Sequence, residues 1–440
     1  MIRTCRPSAA CAAVLVGRLF APAVSAEDAV PPPLTRADAW QRLREQKRLR
    51  LEPYRPGVLE RQILAYEKAE RPSIVRLNYK GFYPRIRSLA SGSRLAPVLR
   101  FWQPDIKGST VSLHASAAYS PTGYELYDFQ AGRLPHRGVE LPPPSTKGDD
   151  VYELGQLRES PLDGLILYAS LRYRHQPRDA FYGLGQDTQP SDRTSFLYQD
   201  ASYELVTGWQ FTPRFVASAR LGYVQVFTTD GEDEDFPPIG AVFDDQSAPG
   251  LARPQPDFYK LAGLLLWDAR DKPFNPHRGG MVALAFTRFD DKDGSLFGFQ
   301  RLAADVRGYV SLGSPQRVLA GRLLLLRDQA DSGSRVPFYL QEALSNSHTL
   351  RGYPTFRFRG EKGLSLQAEY RWEPAPALEL AVFVDAGRVF RPEQEIGLDG
   401  LRASGGFGLR VKTNDDVLMR FDVAWGNEGG RAYLRFGPAF

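Results

Sequence analysis

The chain has 440 residues, of which 42% are hydrophobic and 12% aromatic, and its 56 Lys and Arg nearly balance its 51 Asp and Glu. The 26 Phe and 20 Tyr offer far more apolar surface than a disordered polymer would carry. Beyond residue 26 no run of 18 apolar residues occurs, which excludes a membrane protein built from helices.

Residues 1–26 have the composition of a cleavable secretory signal. Arg3 and Arg6 precede an apolar stretch that ends in the small residues Ser25 and Ala26. Cleavage after Ala26 would remove both cysteines of the chain, so disulfide scaffolds and Cys-based metal sites are excluded from the mature protein. The cut would also remove three arginines and bring the net charge closer to zero. The basic balance therefore gives no support for nucleic-acid binding.

Residues 27–93 differ from the rest of the chain and are expected to lie in the periplasm. Trp40 and Leu43 recur at helical spacing among Arg, Lys and Glu. This pattern predicts one short amphipathic helix over about residues 34–51. The remainder of the segment shows no clear period.

From about Arg94 onward, short segments alternate in hydrophobicity. Residues 364–372, for example, place Leu, Ala, Tyr and Trp on one face and Ser, Gln, Glu and Arg on the other. We count sixteen such segments, the first at 94–103, the fourth at 150–158 and the last at 430–440. Their length suits a tilted strand that crosses the hydrocarbon layer, and Trp372 and Trp425 stand at strand ends, where barrels place interfacial aromatics.

The connections between these segments alternate in length. Tight turns are predicted near 120–122, 159–162, 211–212 and 312–316, and long loops near 134–149, 228–256 and 330–360, the last of which we term loop six. This asymmetry is typical of outer-membrane barrels, with turns in the periplasm and loops outside. The sequence therefore predicts an all-β protein, a 16-stranded antiparallel transmembrane β-barrel over residues 94–440 with a short N-terminal periplasmic segment.

Five stretches resemble the outer-membrane assembly and translocation barrels of the BamA/TamA type, the bacterial surface antigens. These are Leu350-Arg351-Gly352-Tyr353 in loop six, Phe383-Val384-Asp385-Ala386-Gly387 on the thirteenth strand, Trp267 to Asp271, Phe181 to Thr188, and the terminal aromatic Phe440 after Leu434 and Phe436. Their order along the predicted strands makes the combination specific.

The resemblance implies that loop six folds inward and that Arg351 meets Asp385. Alternation along the thirteenth strand independently puts Val382 and Val384 on the lipid face and Asp385 in the lumen. An arginine and a carboxylate there could form a bidentate contact, and Gly352 would let the loop turn tightly. The alternative is that Arg351 is a solvated loop residue and Asp385 one of many lumen charges.

The resemblance also implies a weak seam between the first and last strands. The seam would join residues 94–103 to residues 431–440. Pro97 cannot donate a ladder hydrogen bond and Gly437 packs nothing, so this seam should be weaker than the other strand pairs.

The chain departs from the family pattern in its N-terminal segment. Family members carry periplasmic POTRA domains, whereas residues 27–93 are too short and show no such pattern. We therefore expect a POTRA-less member, and a separate periplasmic partner could replace the missing domains.

The sequence shows no motif of a hydrolase, a zinc enzyme or a phosphate-binding loop. The five His are scattered, and no two have the spacing of metal ligands on one element. We expect no enzyme activity, no cofactor and no metal.

Three functions remain open. The first is an insertase or translocator for unfolded outer-membrane or secreted client proteins. The second is a passive pore or conduit gated by loop six, and the third is a surface receptor or adhesin. In each case the surroundings would be outer-membrane lipid and lipopolysaccharide, with no nucleic acid.

Overall fold

The computed structural model describes residues 35–50, 57–58, 61, 81–87, 89–90, 93–103, 106–134, 164–252, 255–272, 274–294, 296–412, 417–435 and 439–440. The predicted signal and the predicted strand at 150–158 lie outside these residues. Residues 1–57 and residues 58–440 form separate compact units.

The first unit contains helix α1, Arg36–Arg50, as the sequence predicts. Thr35 caps it, because its hydroxyl accepts a hydrogen bond from the backbone N–H of Asp38 at 3.2 Å and donates to the Asp38 carboxylate at 2.7 Å. Trp40 and Leu43 are both 57% exposed, so they form only a short apolar patch within a highly charged helix. No described helix has the length and apolar composition needed to cross a membrane.

The second unit is built from antiparallel strands. In the described residues they are β1 (Phe82–Arg87), β2 (Ala96–Gln103), β3 (Ser112–Tyr119), β4 (Glu125–Arg133), β5 (Leu165–Phe181), β6 (Thr194–Thr212), β7 (Phe215–Asp230), β8 (Phe258–Asp268), β9 (Gly279–Asp291), β10 (Phe299–Ser311), β11 (Arg317–Ala330), β12 (Glu342–Leu344), β13 (Phe358–Gly360), β14 (Lys362–Ala375), β15 (Leu378–Phe390), β16 (Arg402–Lys412), β17 (Val417–Gly426) and β18 (Gly429–Arg435). Sixteen of them form one sheet in chain order, and β12 and β13 form a separate pair within loop six.

The predicted fold class is confirmed, but the first strand is not the predicted one. The sheet begins with β1, which lies inside the segment expected to precede the barrel, and residues 94–103 supply the second strand. The sequence of β1 contains Pro84, Arg85 and Arg87, which hide its alternation. Pro97 therefore lies opposite Ile86 in an interior pair rather than at the seam, and the predicted placement of the seam on residues 94–103 is wrong.

With β1 first and β4 paired directly with β5, the connections before β5 lie at the ends of the sheet opposite to those predicted, and these include the turn at 120–122 as well as the connection after β4. We call the end that carries the short connections after β6, β8, β10, β14 and β16 the turn end, and the opposite end the loop end. Arg133 lies opposite Leu167, and Leu165 lies opposite Trp209. The connection 134–164 therefore starts and finishes at the turn end, whereas the sequence assigned residues 134–149 to the long loops.

The two faces of the sheet are inverted relative to a soluble protein. On β14, Glu369 and Arg371 are 1% and 2% exposed and point inward, while Tyr370 and Trp372 are 39% and 43% exposed and point outward. β15 repeats this arrangement with Glu379 and Asp385 inward, whereas β9 has an apolar outward face but buries mainly Met281 and two alanines on its inward face. A polar interior and an apolar exterior are stable only where the exterior meets lipid.

This inversion predicts a contrast between two exposed valines. Val382 on the outward face of β15 is 61% exposed, and Val242 in the connection after β7 is 52% exposed. We expect Val382→Lys to lower the free energy of unfolding by about 2–4 kcal/mol because it places a cation in hydrocarbon. Val242→Lys should change it by less than about 0.5 kcal/mol, as at an ordinary surface site. Urea titration of the barrel in lipid vesicles measures both, and equal effects would contradict a lipid-facing β15.

Candidate functional site: the inward-folded loop six

Loop six, residues 331–361 between β11 and β14, lies against the inner face of the sheet. From Val336 to Gly360 every residue is buried except His348, Pro354 and Thr355, which are intermediate. The pairing of β12 with β13 closes the loop on itself. A connection of this length would normally lie at the surface, so its burial requires partners for its polar groups.

Arg351 at the tip of loop six is fully buried against carboxylates. Its Nε donates to Asp385 Oδ2 at 2.8 Å and its Nη2 donates to Asp385 Oδ1 at 2.6 Å, a bidentate contact. Its Nη1 donates to Glu369 Oε1 at 2.7 Å, and Asp422 Oδ2 lies 3.7 Å from the same nitrogen. The guanidinium carbon lies 3.4 Å from the centre of the Phe383 ring, which forms a floor beneath it.

The strand register explains how these partners converge. β14 and β15 are neighbours, with Gln367 opposite Asp385 and Glu369 opposite Phe383. All four positions point inward by alternation, so they form one patch on the inner face. The structure thus brings Arg351 and Asp385 together, and it adds Glu369, which the sequence showed only as a lumen charge.

A second layer of ion pairs surrounds the Arg351 contacts. Glu369 Oε2 accepts hydrogen bonds from Arg371 Nε at 2.9 Å and from Arg410 Nη2 at 2.8 Å. Arg410 Nη1 also donates to Glu379 at 2.6 Å. With the pair of Arg420 and Asp422 at 2.7 Å, the cluster holds four arginines and four acids, so its formal charges cancel. The sequence analysis missed this second layer because its ion pairs join residues that lie far apart in the chain. Charged residues at inward positions of adjacent strands were the pattern that could have indicated it.

The main chain before the tip is also held. Arg420 Nη2 donates to the carbonyl of Ser347 at 2.7 Å, and Arg322 Nη1 donates to that of His348 at 2.9 Å. Gln367 Nε2 donates to the carbonyl of Thr349 at 3.1 Å. Three consecutive carbonyls are thus fixed by side chains from β17, β11 and β14, which positions the tip for its contact with Asp385.

Gly352 is required by close approach rather than by a tight turn. A Cβ there would lie 2.5 Å from Ser404 Cβ and 2.6 Å from the backbone nitrogen of Gly426. Its φ is not in the positive region, so the expected turn conformation is not the reason for glycine. Gly387 has a related role, because a Cβ there would lie 2.9 Å from the carbonyl oxygen of Leu364 and 3.3 Å from Leu350.

Loop six also contacts the last strand. The Tyr433 hydroxyl on β18 donates to the carbonyl of Tyr353 at 3.2 Å, while the Tyr353 hydroxyl donates to the carbonyl of Ala403 at 3.1 Å. Arg435 Nε donates to the Ser347 hydroxyl at 3.2 Å. The tip is therefore connected both to the interior of the sheet and to its edge.

The stretch from Phe181 to Thr188 contacts the part of loop six that follows the tip, at Arg357 and Arg359. Arg357 Nη1 donates to the Thr188 hydroxyl at 2.6 Å, and the N–H of Gly185 donates to the carbonyl of Arg359 at 2.7 Å. At the start of the loop, Arg288 forms a bidentate pair with Asp331 at 2.6 Å. These hydrogen bonds hold the pKa of Asp331 below its ordinary value, with burial opposing the shift, so this clamp persists at neutral pH and is lost as the pH falls through the lowered pKa.

The terminal residues are arranged differently from the expectation. Leu434 is 52% exposed on β18, and Phe436 and Gly437 lie outside the described residues. Phe440 is only 4% exposed and packs on the inner face, where its carbonyl accepts a hydrogen bond from the Tyr309 hydroxyl at 3.1 Å. Phe440 is therefore not an outward-facing interfacial aromatic.

An apolar outward face, a charged interior and a buried inward loop define an integral outer-membrane β-barrel. Residues 147–437 match the model of the Omp85 superfamily domain, so the chain belongs to the Omp85 superfamily. The predicted resemblance to the BamA/TamA-type barrels is confirmed at this level.

Solved structures with the same fold include BamA from Haemophilus ducreyi lacking POTRA domains 1–3. It is 15% identical, with a TM-score of 0.53, and the match covers 81% of this chain and 68% of that one. CdiB from Escherichia coli (11% identity, TM-score 0.49, 80% and 61% covered) and CdiB from Acinetobacter baumannii (13%, 0.42, 77% and 53%) also match. This chain thus spans less than two thirds of either CdiB chain. No curated protein sequence gives a significant match.

Proposed function

We propose that this protein assists the insertion or translocation of other polypeptides at the outer membrane, with the edges of the sheet at β1 and β18 as the working surface. Membership of the Omp85 superfamily supports the general role. The observation that carries the mechanism is the shortness of the edge strands, which have 6 and 7 residues in the part of the chain that the structure describes, against 17, 19 and 16 in β5, β6 and β7.

Short edges favour a seam that can open. A tilted strand needs about 9–11 residues to cross the hydrocarbon layer, and the described residues of β1 and β18 fall short of that length. Pro84 removes one donor from β1, and Gly429 and Gly430 begin β18 without side chains that pack. No ladder joins β1 to β18 among the residues that the structure describes. A client strand could therefore pair with β1 or β18 without breaking hydrogen bonds elsewhere in the sheet. Because the edge strands are short, the bilayer beside them would be thinned.

Loop six supports this mechanism by holding the last strand in place. Tyr433 and Arg435 on β18 donate to the backbone of Tyr353 and to the side chain of Ser347, on either side of Arg351. The charge cluster around Arg351 is thus connected to the edge that would move. We propose that the Arg351–Asp385 contact sets the resting position of β18.

The passive-pore alternative receives less support. The inner face of β10, β11 and β14–β17 is covered by loop six, and the charges there are paired with one another. A conduit needs open space and free charge along its path. The receptor alternative has no specific observation in its favour.

The proposal predicts a change in outer-membrane composition. Cells that lack the protein should lose a defined set of outer-membrane or secreted proteins by at least about twofold, the effect that a moderate change in assembly gives at steady state. Quantitative mass spectrometry of outer-membrane fractions measures it, with re-expression of the wild-type chain as the control. An unchanged composition, together with conductance by the purified barrel, would favour the passive pore instead.

A further inference from the structure

The outward face of the sheet carries a groove that the proposed function does not use. Its volume is about 970 Å³ and its lining is almost entirely apolar. One row of residues, each opposite the next in the strand register, runs along it across six strands: Trp209, Ala217, Leu265, Leu284, Ala304 and Leu325.

The row crosses the membrane obliquely. Trp209 lies close to the turn end of β6, whereas Leu325 lies beyond the middle of β11 toward the loop end. Five inter-strand steps of about 4.8 Å give the row a length of about 24 Å. The groove is therefore long enough for an extended acyl chain.

Small residues form the floor and large residues form the walls. A Cβ built at Gly263 meets nothing within 4 Å, so the space above it is open. Leu265 and Leu284 are 48% and 47% exposed beside it, and Phe286 is 39% exposed. Such a concave apolar surface can hold hydrocarbon in more contact than the convex wall of a barrel can.

A cation lies at the upper end of the groove. Arg327 stands next to Leu325 on the outward face of β11, is exposed, and has no ion pair among the described residues. The neighbouring Lys362 is already engaged, because its Nζ donates to the carbonyls of Pro392 and Gln394. These bonds hold the connection 391–401, whose Ile396 borders the groove.

We infer that this groove binds a phosphorylated, multiply acylated glycolipid of the outer leaflet, with its acyl chains along the floor and a phosphate against Arg327. The medium that faces the groove is lipid, which excludes a soluble ligand. Arg327, at the loop end of the groove, gives charge complementarity to a phosphate, which a guanidinium binds in a bidentate manner.

Native mass spectrometry of the full chain in detergent, with lipid A or phosphatidylglycerol added, tests the inference. Two matched pairs of variants separate the site from the rest of the surface. Gly263→Leu fills the groove, whereas Gly308→Leu places the same side chain at an equally open outward position outside it. Arg327→Ala removes the cation, whereas Arg278→Ala removes an exposed arginine at the turn end.

We expect the wild type to retain lipid A in preference to phosphatidylglycerol. Gly263→Leu and Arg327→Ala should each weaken that retention by about tenfold, the loss expected from an excluded acyl chain or a missing charged donor. The two control variants should behave as the wild type. Equal retention by Gly263→Leu and Gly308→Leu, no effect of Arg327→Ala, or a preference for phosphatidylglycerol would each overturn the inference, and none of these outcomes bears on insertion activity.

Discussion

Arg351→Ala should lower the free energy of unfolding of the barrel by about 3–5 kcal/mol, the cost of removing one partner from a buried ion pair. The substitution leaves Asp385 without its bidentate donor and takes one donor from Glu369. The side chains of Asp385 and Glu369 are both 0% exposed. Water cannot replace the lost hydrogen bonds without opening the interior. Urea titration of the folded barrel, followed by its altered gel mobility, gives the change.

The control lies on the same loop. Arg335 pairs with Asp245 at 2.5 Å, but the two side chains are 46% and 32% exposed. Arg335→Ala should therefore cost less than about 1 kcal/mol, as exposed ion pairs do. If the two variants lost stability equally, the Arg351 contacts would be no more than one surface ion pair among others.

Gly352→Val should displace the tip of loop six while the strands remain folded. The added side chain would begin 2.5 Å from Ser404 Cβ and 2.7 Å from the carbonyl carbon of Trp425, and backbone at that distance cannot move aside. Gly397→Val is the matched control, because a Cβ there meets nothing within 4 Å. We expect Gly352→Val to lower the free energy of unfolding by about 1–3 kcal/mol, as overpacking of a core does, and Gly397→Val to change it by less than about 0.5 kcal/mol.

A cysteine reporter distinguishes displacement of the loop from unfolding. The chain has only two cysteines, both within its first 26 residues. Ala343 on β12 is 6% exposed, so Ala343→Cys should react slowly with a maleimide in the wild-type background. Rapid labelling in the Gly352→Val background, with unchanged gel mobility, is the expected result. Slow labelling in the Gly352→Val background would mean that the tip of loop six tolerates the extra side chain. The close contacts with Ser404 and Gly426 would then not be the reason for glycine at position 352.

The alternation of apolar and polar residues along the chain was sufficient to predict most of the fold. The polar positions of β14 and β15 were correctly assigned to the interior because a one-residue slip would place Glu369 or Asp385 in lipid. β1 escaped this reasoning, since its Pro84 and its two arginines obscure a strand of only six residues. The error moved the seam by one strand.

The site was only partly visible in the sequence. Arg351 and Asp385 were found through a family resemblance and by alternation, which is a local property. The contacts with Glu369, and through it with Arg410, depend on which strands lie side by side and on where a long loop folds. No spacing along the chain carries that information, and the same holds for the inward position of Phe440.

The most direct measurement for the seam mechanism is site-specific photo-crosslinking in living cells. A photoreactive residue at Phe82 on β1 or at Leu434 on β18 would lie at an edge, since these side chains are 46% and 52% exposed. The same residue at Val382, which is 61% exposed on β15 and has a paired strand on each side, is the matched control. The account predicts adducts with newly made outer-membrane or secreted proteins at the two edge positions and none at residue 382. Equal adduct formation at all three positions, or none at either edge, would contradict it.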